Sequence, residues 1–146
     1  MTQAQLIQII TGGIGSLGFA VLFNVRGKRL VAATLGGLLS WFLFVIISYF
    51  TENEPLNYFV VAILLTLYAE VMARVLKTPT TTFITTSLIP LIPGGSLYYT
   101  MAYAFKSDSV NFLAKGTYTL QLASALALGI IVSTTISRIR IKKRGV

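Results

Sequence analysis

The sequence predicts an all-α polytopic membrane protein with five transmembrane helices, the fourth of which is broken near mid-membrane. Of its 146 residues, 55% are hydrophobic and 11% are charged, whereas soluble domains carry roughly 25% charged residues. Five apolar stretches are about long enough to cross a hydrocarbon core of ~30 Å, which takes ~20 helical residues. One of them carries two prolines and two glycines within six positions, in the segment IPLIPGGSLYY.

The predicted spans follow one another with short polar connections and form a single transmembrane domain, residues 1–146. The connections are VRGKR, TENEP, the stretch from Lys77 to Pro79, and KSDSVN. The spans cover about residues 4–24, 30–50, 57–76, 80–105 and 116–137, and a basic tail of residues 138–146 follows them.

Small residues at helical spacing predict close packing between the spans. Glycine and serine let helix backbones approach each other in lipid. Some of these faces could instead meet a second chain, either a copy of this one in a homo-oligomer or a different partner. The small residues occur as GGIGSLG in the first span, Gly36, Gly37 and Ser40 in the second, and Ala125, Gly129 and Ser133 in the last.

The distribution of basic residues predicts the orientation of the spans. With five crossings, ten of the twelve Lys and Arg residues lie on one side, in VRGKR, at Arg74 and Lys77, and in the tail. A re-entrant hairpin at 80–105 would leave four crossings and split these residues seven against five. Because basic residues accumulate on the cytoplasmic side, we expect five spans in a bacterial inner membrane, with the N-terminus outside and the C-terminus cytoplasmic.

The composition argues against catalysis and against a bound metal or cofactor. Cys and His are absent, which removes thiol nucleophiles, disulfides and the common zinc ligands. Only four acidic residues are present, and two of them, Glu52 and Glu54, lie in an outer connection. We therefore predict no enzyme activity, no catalytic residue, no metal site and no cofactor. The net charge of +8 indicates topology and contact with anionic lipid rather than with nucleic acid.

The broken fourth span is the predicted substrate site. A proline inside a helix removes an amide donor and clashes with the preceding turn, and glycine permits backbone angles that other residues avoid. The break should therefore leave a second half-helix whose free amides, at mid-membrane, can bind an anion such as a carboxylate. Ser96 could cap this end or offer its hydroxyl to a ligand, and Tyr99 should pack around the break. The predicted substrate-binding residues are Pro90, Pro93, Gly94, Gly95, Ser96 and Tyr99.

Threonines precede the break, in the run TTTFITT at 80–86. Threonine hydroxyls in membrane helices often bond carbonyls of their own helix. The alternative is that they line a polar path toward Pro90. The sequence leaves both readings open.

Three further residues are candidates for coupling or gating. Glu70 and Arg74 stand four apart on one face of the third span, where an ionised side chain is costly and often functional. They could form a proton-coupling or gating pair, or a purely structural ion pair. Asn24, at the inner end of the first span, could take part in gating, although an asparagine at a helix end is usually a cap.

Three blocks of the sequence together resemble the C-terminal membrane domain of the threonine/serine exporter family. They are GFAVLFNV at 18–25, AEVMARVLKTP at 69–79 and IPLIPGGSLYY at 89–99. The likeness covers nearly the whole chain, and the proline–glycine block is its most specific element. Arg26 departs from the pattern, since many members have proline after FNV.

The resemblance implies a secondary transporter that exports small carboxylate-bearing metabolites, either threonine and serine or succinate-type dicarboxylates. It also implies coupling to the proton gradient. The chain is similar to a separated C-terminal half, which would work with a companion membrane subunit that carries the N-terminal half. A non-transporting scaffold or assembly subunit is the alternative function.

Overall fold

A computed structural model shows six α-helices and one short 3₁₀ turn over the part of the chain it describes. Residues 3–144 are described, with Arg138 and residues 140–144 described by their backbone alone. The helices are α1 (Gln3–Leu22), α2 (Lys28–Ser48), α3 (Glu54–Val75), α4 (Thr80–Leu88), α5 (Gly94–Phe105) and α6 (Ser109–Arg144), and the 3₁₀ turn is Ile89–Leu91.

Three helices end with the same C-terminal capping conformation. Asn24, Lys77 and Ser107 follow α1, α3 and α5 in the left-handed region, with φ of 57°, 47° and 55°. In each case the next amide donates to the carbonyl five residues earlier, as Val25 N–H does to Ala20. This bond satisfies a carbonyl that the helix end would otherwise leave free.

Asparagine and aspartate begin two of the helices. The Asn53 side chain accepts a hydrogen bond from the Leu56 amide at the start of α3. Asp108 accepts one from the Asn111 amide at 3.2 Å and one from the Asn111 side chain at 2.7 Å. These bonds hold the pKa of the Asp108 carboxyl below its usual range, because they stabilise its charged form.

Helix α4 lies at the centre of the bundle. It packs against α2, α3 and, more lightly, α1, whereas α5 packs against α6. The α4 side chains of Phe83, Thr86 and Ser87 are fully buried. The short helix before the break is thus fixed by three neighbours and the one after it mainly by a single neighbour.

Glycines allow the close approaches that the small residues predict. A Cβ on Gly36 would lie 1.9 Å from Ser87 Oγ of α4, and one on Gly37 would lie 1.9 Å from Ser16 Oγ of α1. A Cβ on Gly129 would lie 2.7 Å from the Ala62 Cβ of α3. Only glycine fits at these three positions without displacing a neighbour.

Helices α3 and α6 run parallel. Gly129 of α6 lies beside Ala62 of α3. Earlier in both helices, Gln121 of α6 lines a surface cleft with Pro55 in the first turn of α3. Earlier residues of one helix thus lie beside earlier residues of the other. Residues 109–120 therefore extend beyond the beginning of α3, by about 18 Å at ~1.5 Å per residue. The chain between the two helices consequently travels the whole length of the bundle.

The helix bounds differ from the sequence prediction in two places. Helix α6 begins at Ser109, well before the expected residue 116, and continues to Arg144, through most of what we expected to be a separate tail. Arginine and lysine are good helix formers, so the basic stretch lengthens the helix instead of ending it. The last two residues of that tail lie outside the described residues.

The number of spans stays a prediction. In the described part of the chain four helices are long and apolar enough to cross a membrane, namely α1, α2, α3 and residues 109–137 of α6. Helices α4 and α5 have 9 and 12 residues, and neither alone reaches the ~20 that a crossing takes.

Candidate functional site

The helix between Thr80 and Phe105 is interrupted at its two prolines. Helix α4 ends at Leu88, and the Ile92 amide donates to the Ile89 carbonyl at 3.2 Å to close the 3₁₀ turn. Pro93 has φ −73° and ψ 56°, the angles of an inverse γ-turn. Because neither proline has an amide hydrogen, the regular α-helical ladder cannot continue through this segment.

The break lies at about half the height of the bundle. The Pro90 Cβ is 3.4 Å from the position that a Cβ on Gly12 would take, and Gly12 is at the middle of α1, which runs from Gln3 to Leu22. Leu91 is fully buried in a cluster with Val61 and Leu65 of α3. The interruption is therefore anchored deep in the bundle and not at a helix end.

The start of α5 presents two amides without partners. The Gly94 amide donates to Ile92 and the Leu97 amide to Pro93, but the amides of Gly95 and Ser96 have no hydrogen bond among the described residues. A helix N-terminus carries about half a positive charge. This end can therefore accept an anionic group.

Three details of the predicted site differ from expectation. No side chain caps α5, so Ser96 does not take the capping role. Among the described glycines, the one that has a positive φ is Gly27, whereas Gly94 and Gly95 have ordinary angles and open space around them. Tyr99 is 55% exposed and does not pack around the break, because α5 packs mainly against α6.

A mid-height cleft of about 200 Å³ adjoins Pro90. Its lining also includes Gln8, Thr11 and Gly12 of α1 and Trp41 of α2. Trp41 Nε1 donates to the Gln8 Oε1 at 3.3 Å, and the Gln8 amide nitrogen has no partner among residues 3–144. The sequence analysis did not identify Gln8 or Trp41 as site residues. Gln8 could have been identified, because it is a polar amide within an apolar span, four residues before Gly12.

An inner cleft of about 240 Å³ is lined by Phe23 at the end of α1 and by Thr81, Thr82 and Thr85 of α4. The hydroxyls of these three threonines have no hydrogen bond among the described residues, whereas Thr86 donates to the Thr82 carbonyl at 2.9 Å. Thr86 therefore fits the reading of a bond within its own helix, whereas a polar path toward Pro90 stays a prediction, because the cleft that the other threonines line does not include Pro90. One threonine bonds its own helix, and three line a cleft.

Glu70 and Arg74 form an ion pair, as their spacing predicts. Arg74 Nη2 donates to Glu70 Oε2 at 3.3 Å, with the Glu70 side chain 11% exposed and that of Arg74 56% exposed. Leu65, which packs near the break, is five residues away from Glu70 along α3, or about 7 Å. The pair therefore lies more than one helical turn along α3 from the level of the break.

Asn24 occupies the helix-capping position described above, and it is exposed. Its Oδ1 accepts a hydrogen bond from Arg26 Nε at 2.9 Å. The described residues contain no group of three or more Asp, Glu, Cys or His side chains that could hold a metal ion.

Comparison with known proteins adds one finding. A family model described as threonine/serine exporter, ThrE, matches residues 8–136 of the chain. No curated protein and no solved structure matches significantly. The matched region includes both clefts, the ion pair and the break, and the long apolar helices fit a membrane transport protein. The chain therefore belongs to the threonine/serine exporter family.

Proposed function

We propose that the chain is the C-terminal-half subunit of a secondary exporter, in which the break between α4 and α5 binds the carboxylate of a small metabolite. Threonine and serine are the first candidate substrates, and succinate-type dicarboxylates are the second. The observation that carries this proposal is the pair of unpartnered amides, at Gly95 and Ser96, close to the half-height of the bundle.

A carboxylate suits this end of α5 better than a neutral group does. Two amides and the helix dipole all favour negative charge. No acidic side chain lies in the break or in the mid-height cleft that adjoins it. The free amide of Gln8 in that cleft is a further donor. A hydroxyl or an ammonium group of an amino acid would then face the oxygen atoms of Gln8 and Thr11.

The parallel course of α3 and α6 supports five crossings. A re-entrant hairpin would return the chain to the end of α3 where it started, and α6 would then run antiparallel to α3. Instead the segment from 76 to 108 runs the length of the bundle, as one broken crossing would. With Arg74 and the basic end of α6 on the same side, the positive-inside rule favours a cytoplasmic C-terminus in a bacterial inner membrane.

The exposure of α5 supports a companion subunit. Unpaired backbone amides cost several kcal/mol each in hydrocarbon, so Gly95 and Ser96 must meet protein or a water-filled cavity. In the single chain Ile92 and Tyr98 beside them are 58% and 69% exposed. A subunit that carries the N-terminal half, or a second copy of this chain, would complete the wall of the cavity.

The ion pair is the proposed coupling element. The carboxylate of Glu70 lies within a predicted span. Its hydrogen-bonded partner, Arg74, is more exposed. Protonation of Glu70 would release Arg74, which could link the proton gradient to a movement of α3. Asn24 would act as a hinge between α1 and α2 in the same movement.

Transport in proteoliposomes tests the proposal. The chain and its companion are reconstituted, and counterflow of labelled threonine, serine and succinate is measured. The Gly94→Leu and Gly95→Leu double variant should lose transport, because its side chains fill the open space at the amides. The matched Gly94→Ala and Gly95→Ala variant should keep it. Full transport by the companion alone would instead support a scaffold or assembly role.

A further inference from the structure

One polar side chain of the mid-height cleft has a defined orientation. Trp41 Nε1 donates to Gln8 Oε1 at 3.3 Å, and both residues line the cleft. An indole N–H can only donate, so the oxygen of the Gln8 amide, and not its nitrogen, must face Trp41. The NH2 group of Gln8 is left without a hydrogen-bond partner among residues 3–144. Trp41 thus determines which end of this amide stays free for a ligand.

Gln8 lies at a depth where lipid offers no hydrogen bonds. It precedes Gly12, at the middle of α1, by four residues, or about 6 Å, whereas half of a hydrocarbon core is about 15 Å. Gln8 is exposed in the single chain. An amide without a partner in hydrocarbon is unfavourable. The free NH2 group therefore indicates a polar occupant of the cleft.

The remaining polar group of the cleft suits a hydroxyl better than a second carboxylate. Thr11 donates its hydroxyl hydrogen to the Ile7 carbonyl at 2.8 Å and the Gln8 carbonyl at 3.1 Å, so its oxygen can only accept from a ligand. A hydroxyl both donates and accepts, and it can therefore satisfy the Gln8 NH2 group and the Thr11 oxygen together. A carboxylate only accepts, and no Lys or Arg lines the cleft to balance its charge.

We propose that the mid-height cleft is the specificity pocket of the exporter, in which Gln8 binds the side-chain hydroxyl of the substrate and Trp41 positions Gln8. The cleft of about 200 Å³ has room for a small side chain, and it adjoins the break at Pro90, where the carboxylate binds. The pocket rests on the proposed transport function. It selects hydroxy amino acids over succinate-type dicarboxylates and over amino acids without a hydroxyl.

Transport of a threonine analogue tests the role of Gln8. The analogue 2-aminobutyrate is threonine without its hydroxyl, and counterflow of each labelled solute is measured in proteoliposomes that hold the chain and its companion. The wild type should prefer threonine by about tenfold or more, because a site that bonds a hydroxyl rejects an analogue without it. Gln8→Leu should abolish this preference. A merely destabilised fold would lower transport of both solutes and leave their ratio unchanged.

The matched control for Gln8 lies one turn nearer the start of α1. Gln5 also accepts a hydrogen bond from an aromatic donor, the Tyr49 hydroxyl, at 2.8 Å, but neither residue lines the cleft. Gln5→Leu should keep the preference for threonine.

Substitution of the two aromatic donors tests the positioning role. Trp41→Phe keeps an aromatic ring beside Phe44, on which Trp41 stacks at 5.3 Å, but removes the N–H that holds the Gln8 oxygen. Its preference for threonine over 2-aminobutyrate should fall, because the Gln8 amide can then turn either end to the substrate. Tyr49→Phe removes the corresponding donor to Gln5 and should keep the wild-type preference.

Fluorescence gives a readout that does not depend on transport. Trp41 is the single tryptophan of the chain, so the difference in emission between the wild-type complex and the complex with Trp41→Phe isolates its signal. Saturating threonine and serine should change this emission. Succinate should leave it unchanged, and 2-aminobutyrate should change it only at a concentration about tenfold or more higher.

The two readouts separate failure of the pocket from failure of the transport function. The pocket would be overturned, with transport left in place, if Gln8→Leu and Trp41→Phe kept the wild-type preference, if succinate changed the Trp41 emission as threonine does, or if threonine were transported without changing it. A wild-type complex in which threonine changes the emission but is not transported would overturn the proposed function and leave the pocket as a binding site.

Discussion

The contact between Gly37 and Ser16 gives the sharpest test of how the helices pack. In Gly37→Ala the new Cβ would lie 1.9 Å from Ser16 Oγ and 2.3 Å from Ser16 Cβ. Rotation of the serine moves its oxygen but not its Cβ, and carbon atoms need roughly 3.5 Å. Helices α1 and α2 must therefore separate by roughly 1 Å.

The expected change in the free energy of unfolding is the sum of two opposing contributions. Overpacking a tight interface costs about 1–3 kcal/mol, and replacing glycine by alanine within a helix returns up to about 1 kcal/mol. Gly15→Ala is the matched control, because a Cβ at Gly15 meets nothing within 4 Å, and it retains only the favourable term. The free energies of unfolding of the two variants should differ by about 2 kcal/mol.

Denaturation of the purified protein in detergent, followed by circular dichroism, measures this difference. Adding Ser16→Gly to Gly37→Ala should restore stability, because it removes the Ser16 Cβ and Oγ that the new Cβ would meet. The double variant should therefore have a higher free energy of unfolding than the sum of the two single effects predicts. If Gly37→Ala is as stable as Gly15→Ala, the close approach of α1 and α2 is wrong.

Three further predictions concern single positions. Glu70→Gln should leave the fold intact but abolish transport driven by the proton gradient, because Arg74 loses its charged partner; transport that still responds fully to the proton gradient in proteoliposomes would reduce the pair to a structural role. Gly95→Ala should transport normally, because open space surrounds the position, and a measured loss of transport would contradict an open site there. Hydrogen bonds from Asn111 lower the pKa of Asp108. The stability that this carboxylate contributes is therefore present above about pH 4 and is lost as the pH falls through the lowered pKa. Unfolding curves of the wild type and of Asn111→Ala should accordingly differ at neutral pH and converge in acid.

The break and the ion pair could be predicted from the sequence because each depends on local chemistry. Two prolines without amide hydrogens interrupt a helix wherever it lies, and Glu70 and Arg74 meet because four residues make about one helical turn. The cap at Asn24 is local in the same way.

Features that depend on which helices are neighbours could not be predicted. The sequence cannot tell that α5 packs mainly against α6, and so it misplaces Tyr99, which is exposed. The mid-height cleft combines residues from α1, α2 and the 3₁₀ turn, namely Gln8, Trp41 and Pro90. The sequence does not predict the length of α6, because its basic residues indicate a membrane boundary and are also good helix formers.

Carboxylate binding at the break depends most on the free amides at the start of α5. Solid-state NMR of the complex in bilayers, with ¹⁵N in glycine and serine, observes the amides of Gly95 and Ser96 directly. Saturating threonine should shift both resonances, and threonine amide, which has no carboxylate, should leave them unchanged. If neither resonance responds to threonine in a complex that transports it, the carboxylate is bound elsewhere.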